Sequence, residues 1–263
     1  MSRELNYIKT GMFLTWKKML EYKANTYSAI LAQIIYFVSQ FLVLFVISSN
    51  FGDVIGWSFL DFVFYLLLFD FVETIAGFFI WGRSDLKSMI VKGELNCYIN
   101  RPLNKFICFN ASIFSAGGTI MLFITSIFLV FFILFFNVEL YNILFGIFIA
   151  FLIIIFHIVL RKFVESINFF NFGVSYFLRE TVYRSQRIFT NYPAKFFQGG
   201  FFRIIFMIIP LFFVSSLLLP VLRNKEVWNL NLQIFILVSL IIVFGFGIFI
   251  FWKFGLKKYE AYG

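Results

Sequence analysis

Apolar residues run through this chain in blocks of about 20, broken by short polar stretches, and that spacing predicts a bundle of membrane-crossing helices. A barrel strand alternates and crosses in roughly 10 residues, which these uninterrupted runs do not do. The blocks place spans at about 27–49, 57–81, 106–136, 142–160, 199–219 and 230–252. Ahead of them, residues 1–25 form a separate element. There Leu5, Ile8, Met12, Trp16 and Met19 recur every three or four positions with Lys9, Lys17, Lys18 and Lys23 on other faces, the pattern of an amphipathic helix in the membrane interface. Residues 26–263 read as one transmembrane domain.

Three places strain this pattern. The run 106–136 would be about 46 Å long as a helix, more than a bilayer core, so it must tilt, kink or begin outside the bilayer. Its small cluster Ser115 to Thr119 suits a kink or a close helix contact. The stretch 161–195 holds an apolar run, Phe163 to Leu178, interrupted by Glu165, Asn168, Asn171 and Gly173. It reads as an interfacial or partly dipping helix on the inner side. The fifth span contains Pro210 and is closed by Pro220; a proline inside a helix removes a hydrogen bond and clashes with the preceding turn, so this span should kink or break, as a gate or as a static bend.

Composition and charge sharpen the picture. With 62% hydrophobic and 13% charged residues, the chain has too little polar surface for a soluble globule. The net charge of +9 follows from topology and not from nucleic acid, because on this layout 20 of the 22 cations flank the spans on one side and only Arg223 and Lys225 fall on the other. That asymmetry predicts six spans with both ends cytoplasmic, in the cell inner or plasma membrane. The first apolar run is too long for a signal peptide and has no small-residue cleavage site after it. Cys97 and Cys108 fall at or beside a cytoplasmic segment, where thiols are expected over a disulfide.

No phosphate loop, nucleophile elbow or dinucleotide fingerprint is present, and one histidine with two cysteines cannot build a His/Cys metal cluster. The chain is therefore read as a non-enzyme that binds no cofactor itself. Its candidate chemistry lies within the spans. Asp61, Asp70 and Glu73 fall in the second and His157 in the fourth. An unpaired carboxylate at mid-bilayer costs roughly 2.5–3.5 kcal/mol, so Asp70 and Glu73, i and i+3 on one face, should meet protein or water. They either line a substrate or ion path or hydrogen-bond between helices.

The longest polar stretch, Gly82 to Lys105, follows the second span and carries five cations. Its Trp81-Gly82, Lys92-Gly93-Glu94-Leu95 and Arg101-Pro102-Leu103-Asn104, then Tyr192-Pro193, Ile209-Pro210, Leu219-Pro220 and the closing Gly255-Leu256-Lys257-Lys258-Tyr259-Glu260, resemble in order the stand-alone permease subunits of type 2 ABC transporters. The resemblance implies an all-α exporter architecture of six transmembrane helices behind an amphipathic one, working as a dimer with an identical or sister permease. It implies separate ATPase subunits that bind ATP and Mg, docked on the loop 82–105. Ser84 to Val91 would be the coupling helix, Ser84 its N-cap and Gly93 just past its end. Gly82, Ser84, Asp85, Leu86, Met89, Ile90, Gly93, Glu94, Leu95, Arg101 and Pro102 are the coupling residues it implies, with Asp70, Glu73, Pro210 and Pro220 as candidates for path or gate. Two other readings stand beside it: an ion-coupled transporter using Asp70 and Glu73, and a non-transporting membrane scaffold.

Overall fold

The computed structural model describes residues 6–7, 9–11, 13–14, 17, 21, 23–80, 86–100, 117–197 and 200–259. All regular structure among them is helical. In chain order the helices are α1 (Lys23–Ile55), α2 (Phe59–Ile80), the short α3 (Leu86–Val91) and α4 (Asn96–Ile99), α5 (Gly117–Phe135), α6 (Leu140–Ser166), α7 (Phe172–Asn191), α8 (Gly200–Phe206), α9 (Leu219–Leu222) and α10 (Leu230–Lys258). Four of them, α1, α2, α6 and α10, are long and apolar enough to cross a membrane. This is a multi-pass membrane protein.

The bundle is built around α2. Every residue from Asp61 to Asp70 is buried, as expected of a helix apolar on all sides, and α1, α5 and α6 pack around it. The apolar stretch of α2 is 72% buried against 6% for α1 and α10, whose outward sides are left for lipid. α1 runs six residues past its expected end, so that only Gly56, at φ +67°, and the two residues after it turn the chain into α2. Trp57, just ahead of α2, is buried at 3% exposure and packs its ring on Phe62 and Tyr65. Where α5 begins, Gly118 lies against Thr74 and Phe78 of α2, a close helix contact; Ser115 and Ala116 lie outside the described residues. α10 lies along α6, and two glycines let it do so. A Cβ at Gly247 would stand 2.6 Å from the Phe163 ring, and one at Gly255 2.4 Å from Phe169.

Two expected segments fold differently. α6 does not end at Leu160 but continues to Ser166, and after a 3-10 turn at Ile167–Phe169 the chain reverses into α7, whose first turn is capped by the Asn171 side chain accepting from the Val174 N–H at 3.0 Å. α7 runs antiparallel to α6. The Ser175 hydroxyl donates to the Val164 carbonyl at 2.8 Å, and eleven residues later Gln186 meets His157 and Arg161. Near the end of α7, the Tyr65 hydroxyl of α2 donates to the Phe189 carbonyl. So α7, expected as an interfacial or partly dipping helix, runs along α6 as far as Tyr65 of α2. Polar residues on its packed side, Ser175 and Gln186, break up any long apolar run.

The stretch expected as the fifth span, 199–219, is not one helix. From Gly200 the chain forms α8, turns irregularly over 207–211, winds a π-helical segment at Val214–Leu218 and ends in α9. Pro210 falls among the turns, where no helical N–H is missed, and Pro220 lies in the first turn of α9, where none is needed. This segment goes in and comes back. Leu222 packs on Gly146, while Phe213 packs on Phe156, ten residues and about 15 Å further along α6. Before it, Lys195 lies within electrostatic reach of Asp61 and Lys225, and after it Arg223 binds Asp61. Arg203 stacks over Trp228 at 4.8 Å. Lys195 and Arg203 therefore share the end of the bundle that holds Arg223 and Lys225, and not the end assigned to them from the sequence.

Candidate functional site

At the end of the bundle where α6 turns into α7, α3 and α4 fold back onto it. Leu86, Met89 and Ile90, spaced on one face of α3, are buried together with Leu95 and with Trp252 of α10, and Phe169, Phe172 and Leu256 close the cluster. The helix is also tied by polar contacts. The Leu86 N–H donates to Glu165 Oε1 at 3.4 Å, and Lys162 Nζ donates to Glu165 Oε2 at 2.9 Å, joining α3 to the end of α6. Lys87 lies 5.7 Å over the Phe172 ring. Gly93, at φ +69°, turns the chain one residue beyond α3 and Lys92, and the Leu95 N–H closes back on the Met89 carbonyl at 3.3 Å.

This geometry divides the expected coupling residues. Leu86, Met89, Ile90 and Leu95 hold the loop to the bundle, whereas Glu94, with Lys87, Val91 and Lys92, is exposed. Gly82, Ser84, Asp85, Arg101 and Pro102 lie outside the described residues. Cys97 is an exposed free thiol; Cys108 also lies outside them. Glu165 and Trp252 escaped the sequence reading, because their partners are 79 and more than 150 residues away and no spacing connects them.

Inside the bundle, Asp70 and Glu73 serve different neighbours. The Tyr36 hydroxyl of α1 donates to Asp70 Oδ1 at 3.2 Å, while Oδ2, fully buried, has no partner among the described residues. Gln33 and Gln40 share the Tyr36 face of α1 and likewise carry buried polar atoms without partners there. Glu73 lies within electrostatic reach of the guanidinium groups of Arg161 and Arg187. Arg161 donates to the Gln186 side-chain oxygen, and the amide nitrogen of Gln186 lies 3.1 Å from His157 Nε2. Arg187 donates to the Tyr183 hydroxyl at 2.7 Å and stacks over its ring at 4.7 Å. The four helices α1, α2, α6 and α7 thus meet in one polar belt, and His157 is a helix contact within it.

At the opposite end, where α2 begins, a single carboxylate gathers two cations. Asp61, 2% exposed, accepts from Arg223 Nε on Oδ1 and from Lys225 Nζ on Oδ2, both at 2.8 Å. The Ser58 N–H donates to Oδ2 at 2.9 Å, and the Asp61 N–H returns a bond to Ser58 Oγ at 3.3 Å. That exchange is a capping box, which the sequence carries as Ser58-x-x-Asp61. Arg223 also lies 3.6 Å over the Phe136 ring. The clamp fixes the return of the re-entrant segment to the start of α2. Pro210 and Pro220 lie within that segment, both buried.

An all-helical bundle with a folded loop seated at one end and a polar belt within it is the form of a membrane transport component. The sequence model of the ABC-2 family transporter proteins matches residues 34–263, and the chain belongs to that family. It is a permease component of an ABC transporter. A search of curated proteins finds no match to it.

Proposed function

We propose that this chain is the membrane subunit of an ATP-driven exporter in the cell inner or plasma membrane, acting as a dimer with an identical or sister permease. Separate ATPase subunits hold ATP and Mg and dock on the loop 82–105. The observation that carries this reading is the seating of α3: three buried apolar side chains and a bond to Glu165 fix it to α6 and α10, so a push on its exposed side moves helices and not a loose loop. Six elements cross in this reading: α1, α2, α5, α6, α7 and α10, with both termini cytoplasmic and the segment 200–222 re-entrant from outside. An interfacial amphipathic helix leads them. Asp70, toward α1, and Glu73, toward α6 and α7, line the path on either side of α2, and the proline-bearing segment gates it.

A tagged pull-down in mild detergent with an ATPase assay on the eluate tests the docking. Val91→Asp with Glu94→Arg, both on the exposed side, should release the ATPase and leave the permease monodisperse. Failure of any ATPase to co-purify under several gentle conditions refutes the reading. One observation favours a second reading, ion coupling at Asp70, whose Oδ2 is buried without a partner; gradient-driven uptake abolished by Asp70→Asn, with no ATP present, would establish it.

A further inference from the structure

We propose that the seam between α1 and α2 holds a site for a monovalent metal cation, anchored on Asp70 and completed by Tyr36, Gln40 and Gln33. Asp70 sits at the middle of α2, eleven residues from Phe59 and ten from Ile80, about 15 Å from either end. It is 5% exposed, yet among the described residues it makes no ion pair and accepts a single bond, from the Tyr36 hydroxyl at 3.2 Å. Its second oxygen, Oδ2, is fully buried and accepts nothing. A carboxylate held this far from water calls for a positive charge beside it.

Across the seam, the polar side chains of α1 between Ile30 and Ile47 are Gln33, Tyr36, Ser39 and Gln40. Ser39 is spent on the Tyr36 carbonyl, to which its hydroxyl donates at 2.7 Å. The other three are spaced by three and four residues and so share the face that meets Asp70. Each glutamine leaves one buried atom without a partner, Oε1 of Gln40 and Nε2 of Gln33. Two unmet oxygens and one unmet amide nitrogen thus flank the bond between Tyr36 and Asp70. A proton on Oδ2 answers the charge but serves one acceptor and leaves Gln33 alone; a water answers the glutamines and not the charge. A cation answers both. Asp70 Oδ2 and Gln40 Oε1 ligate it, the Tyr36 oxygen keeps a lone pair for it while its hydrogen stays on Oδ1, and turning the Gln33 amide over replaces the stranded nitrogen with a further oxygen. One carboxylate among neutral oxygens suits a single positive charge, since calcium sites gather more carboxylates and zinc asks for nitrogen or sulfur.

This inference rests on the ion reading of Asp70 and adds the kind of ion and its ligands; binding and uptake are measured separately so that each can fail alone. The full chain, purified by itself in detergent and choline chloride, is titrated with radiolabelled sodium and then challenged with unlabelled sodium, potassium or more choline. A single saturable class of sites should appear, emptied by the metal ions and not by choline. Asp70→Asn should weaken binding about a hundredfold and Gln40→Leu about tenfold, the second variant keeping the test decisive where the first does not fold. Glu139→Gln, at an exposed carboxylate, should leave binding unchanged. The proposal fails if no saturable sodium binding appears, if choline displaces sodium as well as potassium does, or if Asp70→Asn and Gln40→Leu keep the wild-type affinity. Proton-driven uptake sensitive to Asp70→Asn in a chain that binds no sodium refutes the metal site and leaves ion coupling standing. Sodium bound without any gradient-driven uptake upholds the site and removes the coupling.

Discussion

Replacing Asp61 should destabilise the end of the bundle where α2 begins more than any other single charge change among the described residues. The carboxylate is 2% exposed and accepts from two cations at 2.8 Å, whose side chains are 22% and 25% exposed. Removing one partner of a buried ion pair costs about 3–5 kcal/mol, because the remaining charge is stranded; partial hydration of Arg223 and Lys225 puts Asp61→Asn at the lower end, about 3 kcal/mol. Asp61→Ala also loses the capping box, about 1 kcal/mol more. If stranded charge is the cause, taking the cations away must help: Arg223→Met with Lys225→Met in the Asp61→Asn background should recover about 2 kcal/mol. Equilibrium unfolding of the full chain in detergent, run as a cycle over these variants, reads the coupling. A loss below about 1 kcal/mol for Asp61→Asn, or no recovery in the triple variant, refutes the clamp as an energetic feature.

Other positions give sharper local tests. Gly255→Ala should cost about 1–3 kcal/mol because its Cβ would meet Phe169 at 2.4 Å, whereas Gly245→Ala, with nothing within 4 Å, should be neutral or stabilising by thermal unfolding. Tyr36→Phe removes the one described partner of Asp70 and should cost about 1–3 kcal/mol; an unchanged unfolding midpoint would mean that Asp70 is already solvated. Leu86→Ala, at a fully buried site, should raise hydrogen exchange across 86–99 while the amides of α2 keep their protection. Equal loss in both would show that α3 and the bundle unfold as one unit.

The long apolar helices were legible because a lipid-facing helix must be apolar along its whole length, and α1, α2, α6 and α10 are. α7 was not, because protein and not lipid covers its packed side: Ser175, Gln186 and Phe189 are buried there with two polar residues among them. Hydropathy counts those residues against a span, although each finds a partner in α6 or α2. Conversely, the stretch 199–219 is apolar enough to pass as a span, and the kink or break expected at Pro210 is what the chain makes, turning over 207–211. In the loop, the turn at Gly93 could be foreseen from its residue type, while the pairing of Leu86 with Glu165 depends on α6 running past Leu160, which its arginine and lysine concealed.

The broken segment 200–222 also bears on how the protein is made. A continuous apolar helix can be released into lipid as soon as it is synthesised, since its backbone bonds are all internal. The turns at 207–211 bond within the segment too, but mostly through short-range bonds of poorer geometry than an α-helix makes, and with the π-helical stretch after them they lean on helices already placed. Phe156 and Gly146 of α6 and Tyr65 of α2 are synthesised before it and supply that support. Lys225 and Arg223 come off the ribosome immediately afterwards and lock onto Asp61. The bundle thus closes from that end late in synthesis, and a chain arrested before Arg223 would hold every long helix but the last without the bolt that fastens them.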